Sequence, residues 1–251
     1  VLRIALVAVW TLLAMPVQAV FLLRPGRAKE RFAQTYWHGV ARILGLKLRV
    51  VGELAAARPA LFISNHSSWV DIVALGAVLP GCFVAKGDVA TWPVISWVAR
   101  LGRTIFVSRA RDTVAKEQRE LEGRLAAGDN IILFPEGTTS DGNRVLPFSS
   151  AFFTLAFCPA RPAVQPVTIV YDKLDGLPVR RADRAEIAWY GDMELAPHFL
   201  QLARRRGFRA TIVLGPPVAT APPMNRKTLS ATLESEIAAT AAALRQNRLG
   251  G

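Results

Sequence analysis

The sequence predicts an α/β fold, a mixed and largely parallel sheet flanked by helices, on the strength of three observations. From Leu46 onward, short apolar runs of strand length alternate with longer helical segments. Two of those runs stop abruptly in polar loops, where α/β folds place their chemistry. At 251 residues the chain has the size of one α/β domain with a sizeable core.

Residues 46–251 form that domain, and residues 1–45 precede it with a different character. Ile4 to Leu23 is almost wholly apolar, interrupted only by Thr11, Pro16 and Gln18. A run of about twenty residues is long enough to span a bilayer or to lie deep in one leaflet. Arg24, Arg27, Lys29 and Arg31 follow it, and the positive-inside rule keeps such a flank in the cytoplasm. The segment therefore reads as an uncleaved anchor in the inner membrane, with the catalytic domain facing the cytoplasm. A cleavable signal peptide is the competing reading, with Val17-Gln18-Ala19 as its cleavage site, but the basic cluster opposes export. Ala28 to Leu44 is an amphipathic helix carrying Phe32, Tyr36, Val40 and Ile43 on one side. It can lie at a membrane surface or pack on the domain, and the sequence leaves both open.

Within the domain, strands are expected near Lys47–Val51, Ala60–Ser64, Cys82–Ala85, Thr104–Val107, Asn130–Phe134, Val164–Tyr171, Glu186–Trp189 and Thr211–Leu214. Helices are expected near Trp69–Leu79, Pro93–Leu101, Thr113–Ala127, Phe148–Phe157, Leu195–Arg205 and Lys227–Arg245. Pro216 to Pro223 is a proline-rich connector to the last helix.

The chemistry centres on the stretch Leu61-Phe62-Ile63-Ser64-Asn65-His66-Ser67-Ser68-Trp69-Val70-Asp71. Its apolar run is a buried strand, and Ser67 or Ser68 can cap a helix that starts near Trp69. Asp71 then falls in the first turn, close enough to accept the proton on one imidazole nitrogen of His66. That contact fixes the tautomer and stabilises the imidazolium formed when the other nitrogen takes a proton. A His-Asp pair without a protein nucleophile suits activation of a substrate's own hydroxyl. The pair alone is a weak signal, since this spacing arises by chance. It gains weight from a second strand-end loop, Ile131-Ile132-Leu133-Phe134-Pro135-Glu136-Gly137-Thr138, which brings a carboxylate at Glu136 toward the same sheet edge.

Composition narrows the partner. Formal net charge is +12 and the pI is near 10.8, so the partner is anionic. A hydrophobic fraction of 51% and a mean hydropathy of +0.27 favour lipid. No nucleic acid partner is expected, because there is no interleaving of aromatic and basic residues and no zinc spacing. Cys82 and Cys158 lie in apolar surroundings and read as buried thiols. No metal site is expected.

These residues resemble the glycerolipid acyltransferases typified by 1-acylglycerol-3-phosphate acyltransferase. Asn65-His66-Ser67-Ser68-Trp69-Val70-Asp71 matches the family's first motif and Phe134-Pro135-Glu136-Gly137-Thr138 its third. Gly102 to Arg109 resembles the intermediate motif, and Val164-Gln165-Pro166-Val167 the late one. The resemblance covers roughly Leu46 to Tyr171. It implies acyl transfer to a lysolipid hydroxyl from an acyl carrier protein or coenzyme A thioester, a co-substrate, with no cofactor. His66 is then the general base and Asp71 its partner. Glu136 binds an acceptor hydroxyl, Gly137 lets the backbone approach the acceptor, and Thr138 joins them as a substrate-binding residue. Asn65 is a possible oxyanion donor, and Lys86, Arg103 and Arg109 are candidates for the acceptor's anionic head group.

Two departures bear on the acceptor. Many relatives that use a phosphomonoester carry Arg where this chain has Thr139, and a Lys-Gly pair where it has Ser149-Ser150 after Phe148. Gly137 to Arg144 instead resembles relatives that acylate lyso-ornithine lipid, with Arg144 available to supply the missing charge. The leading acceptor is 1-acylglycerol 3-phosphate, giving phosphatidic acid, with lyso-ornithine lipid second. Two rivals are a non-catalytic basic membrane-binding module, which tolerates loss of His66, and a thioesterase, which releases free acid.

Overall fold

The computed structural model describes residues 2–92, 95–107 and 114–248. Two helices come first, α1 (Leu2–Leu22) and α2 (Ala28–Leu44), then strands β1 (Leu46–Val51) and β2 (Ala60–Ser64). Next come α3 (Val70–Val78), β3 (Cys82–Lys86), α4 (Ile95–Leu101), β4 (Ile105–Val107), α5 (Val114–Ala126) and β5 (Ile131–Leu133). The chain finishes with β6 (Ala163–Leu174), the short β7 (Leu177–Pro178), α6 (Leu195–Arg204), β8 (Phe208–Leu214) and α7 (Arg226–Arg245).

The sheet runs β1-β8-β6-β2-β5-β3-β4, with β7 hairpinned onto β6. From β6 through β4 every neighbouring pair is parallel, while β8 is antiparallel to β6 and parallel to β1. This is the mixed, largely parallel sheet that the alternation of elements predicts. All of β2 is buried, which explains why Leu61 to Ile63 is a continuous apolar run rather than an alternating one. One face of the sheet, with Phe62, Ile132, Val167 and Ile169, packs against α2 and α3. The other, with Leu61, Ile63, Leu133 and Val164, packs against Leu121 and Leu125 of α5 and Leu229, Leu233 and Ile237 of α7.

Two expected elements take another form. Glu186–Trp189 is not a strand: a 3₁₀ turn spans Ala182–Glu186, and Ile187 and Ala188 are buried as a loop apex. Their burial, and not a pleated pairing, accounts for the apolar residues there. The segment Phe148–Phe157 contains a 3₁₀ helix over Ser150–Phe157 in place of an α-helix.

The amphipathic helix α2 packs between α1 and α3, so the second of its two readings is the one seen. Val40, Ala41 and Leu44 join the core, and Trp10 of α1 donates its indole N–H to the Tyr36 carbonyl at 3.0 Å. Gln18 donates to the carbonyls of Lys29 and Leu101 at 3.1 and 2.8 Å, and Arg3 to those of Leu44 and Arg205 at 2.9 and 2.7 Å. The opposite side of α1, including Leu2, Val9, Leu12 and Leu13, is exposed. Helix α3 approaches α2 closely at Gly76, where a Cβ would lie 2.4 Å from the Trp37 ring. Gly76→Ala is expected to cost about 1–3 kcal/mol by overpacking this contact, read as a lowered denaturation midpoint of the detergent-solubilised protein.

Candidate active site

Strand register brings the two polar loops together. Ile63 of β2 pairs with Leu133 of β5, and His66 and Glu136 each lie three residues further along parallel strands. Both therefore emerge at one level on the carboxyl edge of the sheet. The Glu136 carboxyl group fastens the loops to each other: Oε1 accepts the His66 N–H at 2.7 Å and Oε2 the Leu146 N–H at 2.8 Å. Ser140 N–H closes the link by donating to the His66 carbonyl at 2.9 Å. The turn between them is tight at Gly137, whose φ of 65° is open to glycine at no steric cost.

Asp71 organises the His66 loop. It is fully buried in the first turn of α3. Its Oδ2 accepts from His66 Nδ1 at 2.8 Å, Ser67 N–H at 2.7 Å and Ser68 N–H at 3.0 Å, and its Oδ1 accepts from the Tyr171 hydroxyl at 2.7 Å. The expected serine cap is correspondingly minor: Trp69 holds the cap position, and Ser68 Oγ lies 3.4 Å from the Val70 N–H. With Nδ1–H given to Asp71, the neutral imidazole keeps its lone pair on Nε2. The ring stacks on Phe134 at a centroid distance of 3.9 Å and an angle of 13°, and Phe134 stacks in turn near Phe83. A ring so held, with the side chain 16% exposed, presents one basic nitrogen outward in a fixed direction.

The remaining candidates divide. Thr138 is exposed on the Glu136 loop, and Arg144 is exposed on the tract that follows. Lys86 reaches the same sheet edge but pairs with Asp88 at 2.7 Å on the surface. Asn65 is a staple between strands: its Nδ2 donates to the Ile169 carbonyl and its Oδ1 accepts the Ile169 N–H, both at 2.9 Å. Its amide is thus committed to β6, which corrects the expectation of a free oxyanion donor. Arg103 is also corrected, because it precedes β4 and stands at the amino edge of the sheet, away from His66. There it pairs with Asp129 and lies 3.7 Å from Glu30, joining α2 to the sheet. Arg109 lies outside the described residues. Glu136 has both oxygens engaged by main-chain amides, so clamping the loop is the task its geometry shows.

Three residues escaped the motif-based reading. Tyr171 lies on β6 after the apolar pair Ile169-Val170, and nothing local marks its hydroxyl. Arg184 and Arg245 come from a loop and from the last turn of α7, far apart in sequence, and nothing local marks them. Burial pushes the Glu136 carboxyl up to about 8, against the lowering effect of its two amide donors. Burial, reinforced by the neighbouring charge of Arg184, pulls Arg245 down to about 10. The Tyr171 hydroxyl is held well above its usual range by burial and by the Asp71 charge.

Comparison with known proteins places this geometry. A family model described as Acyltransferase matches residues 47–170. The chain is 40% identical over 245 residues to a lyso-ornithine lipid O-acyltransferase of Brucella abortus (strain 2308), covering 95% of this chain and 92% of that protein. The chain belongs to the acyltransferase family. It is also 39% identical to a lyso-ornithine lipid O-acyltransferase of Rhizobium meliloti (strain 1021), over 90% of this chain and 80% of that one. A 1-acyl-sn-glycerol-3-phosphate acyltransferase of Neisseria meningitidis serogroup B (strain MC58) is 37% identical over 47% of each chain. The crystal structure of the 1-acyl-sn-glycerophosphate acyltransferase PlsC from Thermotoga maritima superposes with a TM-score of 0.66 at 20% identity, covering 97% of this chain and 96% of that one, and shares the fold. As an acyltransferase, the chain carries its His66-Asp71 pair and its Glu136 loop inside the family-matched segment.

Two expectations follow from the hydrogen bonds. Tyr171→Phe leaves Asp71 Oδ1 buried without its donor and is expected to cost about 1–3 kcal/mol, measured by denaturant unfolding. Glu136 gives a pH signature. Its native carboxyl keeps a proton between the ordinary 4.5 and about 8, where the unfolded chain has released it. The stability this contributes is present below the ordinary value and is lost as pH rises through about 8. Unfolding free energy of the wild type should therefore decline over that window relative to Glu136→Gln, which has no proton to release.

Proposed function

We propose that this acyltransferase moves an acyl group from an acyl carrier protein or coenzyme A thioester to the free hydroxyl of lyso-ornithine lipid. The reaction takes place at the cytoplasmic face of the inner membrane. The observation that carries the chemistry is the His66-Asp71 contact, with Nε2 free of hydrogen bonds among the described residues and no nucleophile turn beside it. His66 Nε2 takes the proton of the acceptor hydroxyl as its oxygen bonds to the thioester carbonyl carbon. The imidazolium is stabilised by buried Asp71, whose two oxygens are held by four donors. Collapse of the tetrahedral intermediate breaks the C–S bond, and the proton passes from His66 to the departing thiolate. No acyl-enzyme is required.

The acceptor assignment rests on the relatives and on the departures from the phosphate-binding pattern. The motifs alone rank 1-acylglycerol 3-phosphate first. The order changes because the relatives that match along nearly the whole chain carry the lyso-ornithine name, whereas the Neisseria enzyme matches about half. Thr139 and Ser149 agree, since each stands where a phosphate-binding cation is found in many relatives. Residues 1–45 form the anchor and residues 46–251 the catalytic part. The exposed apolar side of α1, together with exposed Ile95 and Trp97 on α4, is the surface that enters lipid, and the +12 charge draws it to anionic head groups.

The test is an assay with labelled acyl-carrier-protein thioester and, in parallel, lyso-ornithine lipid and lysophosphatidic acid. Label in ornithine lipid is expected. Label only in phosphatidic acid rejects the acceptor, and label only in free fatty acid makes the protein a thioesterase. Folded His66→Ala should lose roughly 10²–10⁴-fold in kcat, and retention of near-wild-type turnover would remove the general base from the mechanism.

A further inference from the structure

Arg184 and Arg245 meet at a small pocket beside the catalytic loop, lined also by Ser67, Gly142, Tyr171 and Ala188. Ser67 follows His66 directly and Tyr171 holds Asp71, so the pocket adjoins the His-Asp pair. Both arginines are fastened to one residue: Arg184 Nη1 donates to Asn143 Oδ1 and Arg245 Nη1 to the Asn143 carbonyl, each at 3.1 Å. Asn143 is held in place by Asp141, which accepts from its backbone N–H at 2.9 Å and its Nδ2 at 3.1 Å.

Among the described residues neither arginine forms an ion pair within 4.0 Å, and Arg245 Nε is buried without any hydrogen-bond partner. Two partly buried guanidinium groups set near one another repel and lose hydration, and an anion between them offsets both effects. The charge of Asp141 is felt by both arginines, so the tract presents two cations and, next to them, one anion.

We propose that Arg184 and Arg245 bind the carboxylate of the acceptor head group, with Asp141 facing its ammonium. This rests on the reading of the acceptor as lyso-ornithine lipid. That molecule carries a 3-hydroxyacyl chain on the α-nitrogen of ornithine, leaving one carboxylate and one ammonium. Six bonds separate its hydroxyl from its carboxylate, a reach of roughly 7 Å when extended. That reach lets an acceptor whose hydroxyl sits at His66 extend its carboxylate toward the arginine pocket, which adjoins the pair through Ser67 and Tyr171. A dianionic phosphate fits worse, because Asp141 repels it. The same site explains how the chain works without cations at Thr139 and Ser149.

The experiment compares lyso-ornithine lipid with its methyl ester, which has lost the carboxylate charge, using the full chain in mixed micelles. Wild type should use the free acid about ten- to a hundredfold better in kcat/KM, the value of a charge-assisted contact. The double variant Arg184→Gln, Arg245→Gln should lose that preference through a raised KM for the free acid, with little change for the ester. The wild-type comparison needs no variant to fold, and Arg184→Gln alone, at the less buried arginine, gives a second readout. Equal use of acid and ester by the wild type overturns the arginine site and leaves the acceptor assignment standing. A preference that survives in the double variant overturns it as well. Turnover of lysophosphatidic acid with neither ornithine acceptor used overturns the acceptor reading itself.

Discussion

The site depends on one buried carboxylate. Asp71 is cut off from water, and an unpaired charge there would be strongly unfavourable. Its four donors come from three places: the His66 ring, the loop amides of Ser67 and Ser68, and Tyr171 at the far end of β6. Satisfying the charge therefore folds the loop, starts α3 and docks the loop on the sheet in the same act. The orientation of the imidazole follows from that arrangement. The geometry of the His66-Asp71 pair and local stability here have a common origin.

Glu136 plays the complementary part from the neighbouring strand. Parallel pairing of β2 with β5 puts it level with His66, and its two oxygens then bind the main chain on either side. Glu136 thereby helps to decide where the imidazole points. The stacking of Phe134 on the imidazole adds a third restraint, normal to the ring plane. The imidazole is thus fixed along its edge, its backbone and its face.

Much of this was legible in the sequence because local pattern and tertiary environment agree. Ala60 to Ile63 is a continuous apolar run because β2 is a central strand covered on both faces, and the bounds of β2, Ala60–Ser64, match those read from the sequence. His66 and Asp71 are close in sequence, so a short loop into the first turn of α3 suffices to bring them together. Legibility failed where a role depends on distant partners. Asn65 looked like a free donor, but Ile169, on another strand, takes both ends of its amide. Arg103 sits in a recognisable motif, yet strand direction puts it at the wrong edge. Tyr171, Arg184 and Arg245 acquire meaning only when β6, a loop and α7 converge. Glu186–Trp189 reads as a strand because a buried loop apex needs the same apolar residues as a pleat.

Helix α1 is fastened to the body near both of its ends, through Arg3 at one and Gln18 at the other. A segment tied only at its last residue would act as a tether, letting the enzyme swing and bob beneath the bilayer. One fastened along its length works instead as a keel. The tilt and immersion that its exposed apolar side adopts in lipid are passed on to the sheet, and His66 rides at a fixed height above or below the interface. Depth of insertion then becomes a property of the fold, set by the same packing that holds the core together.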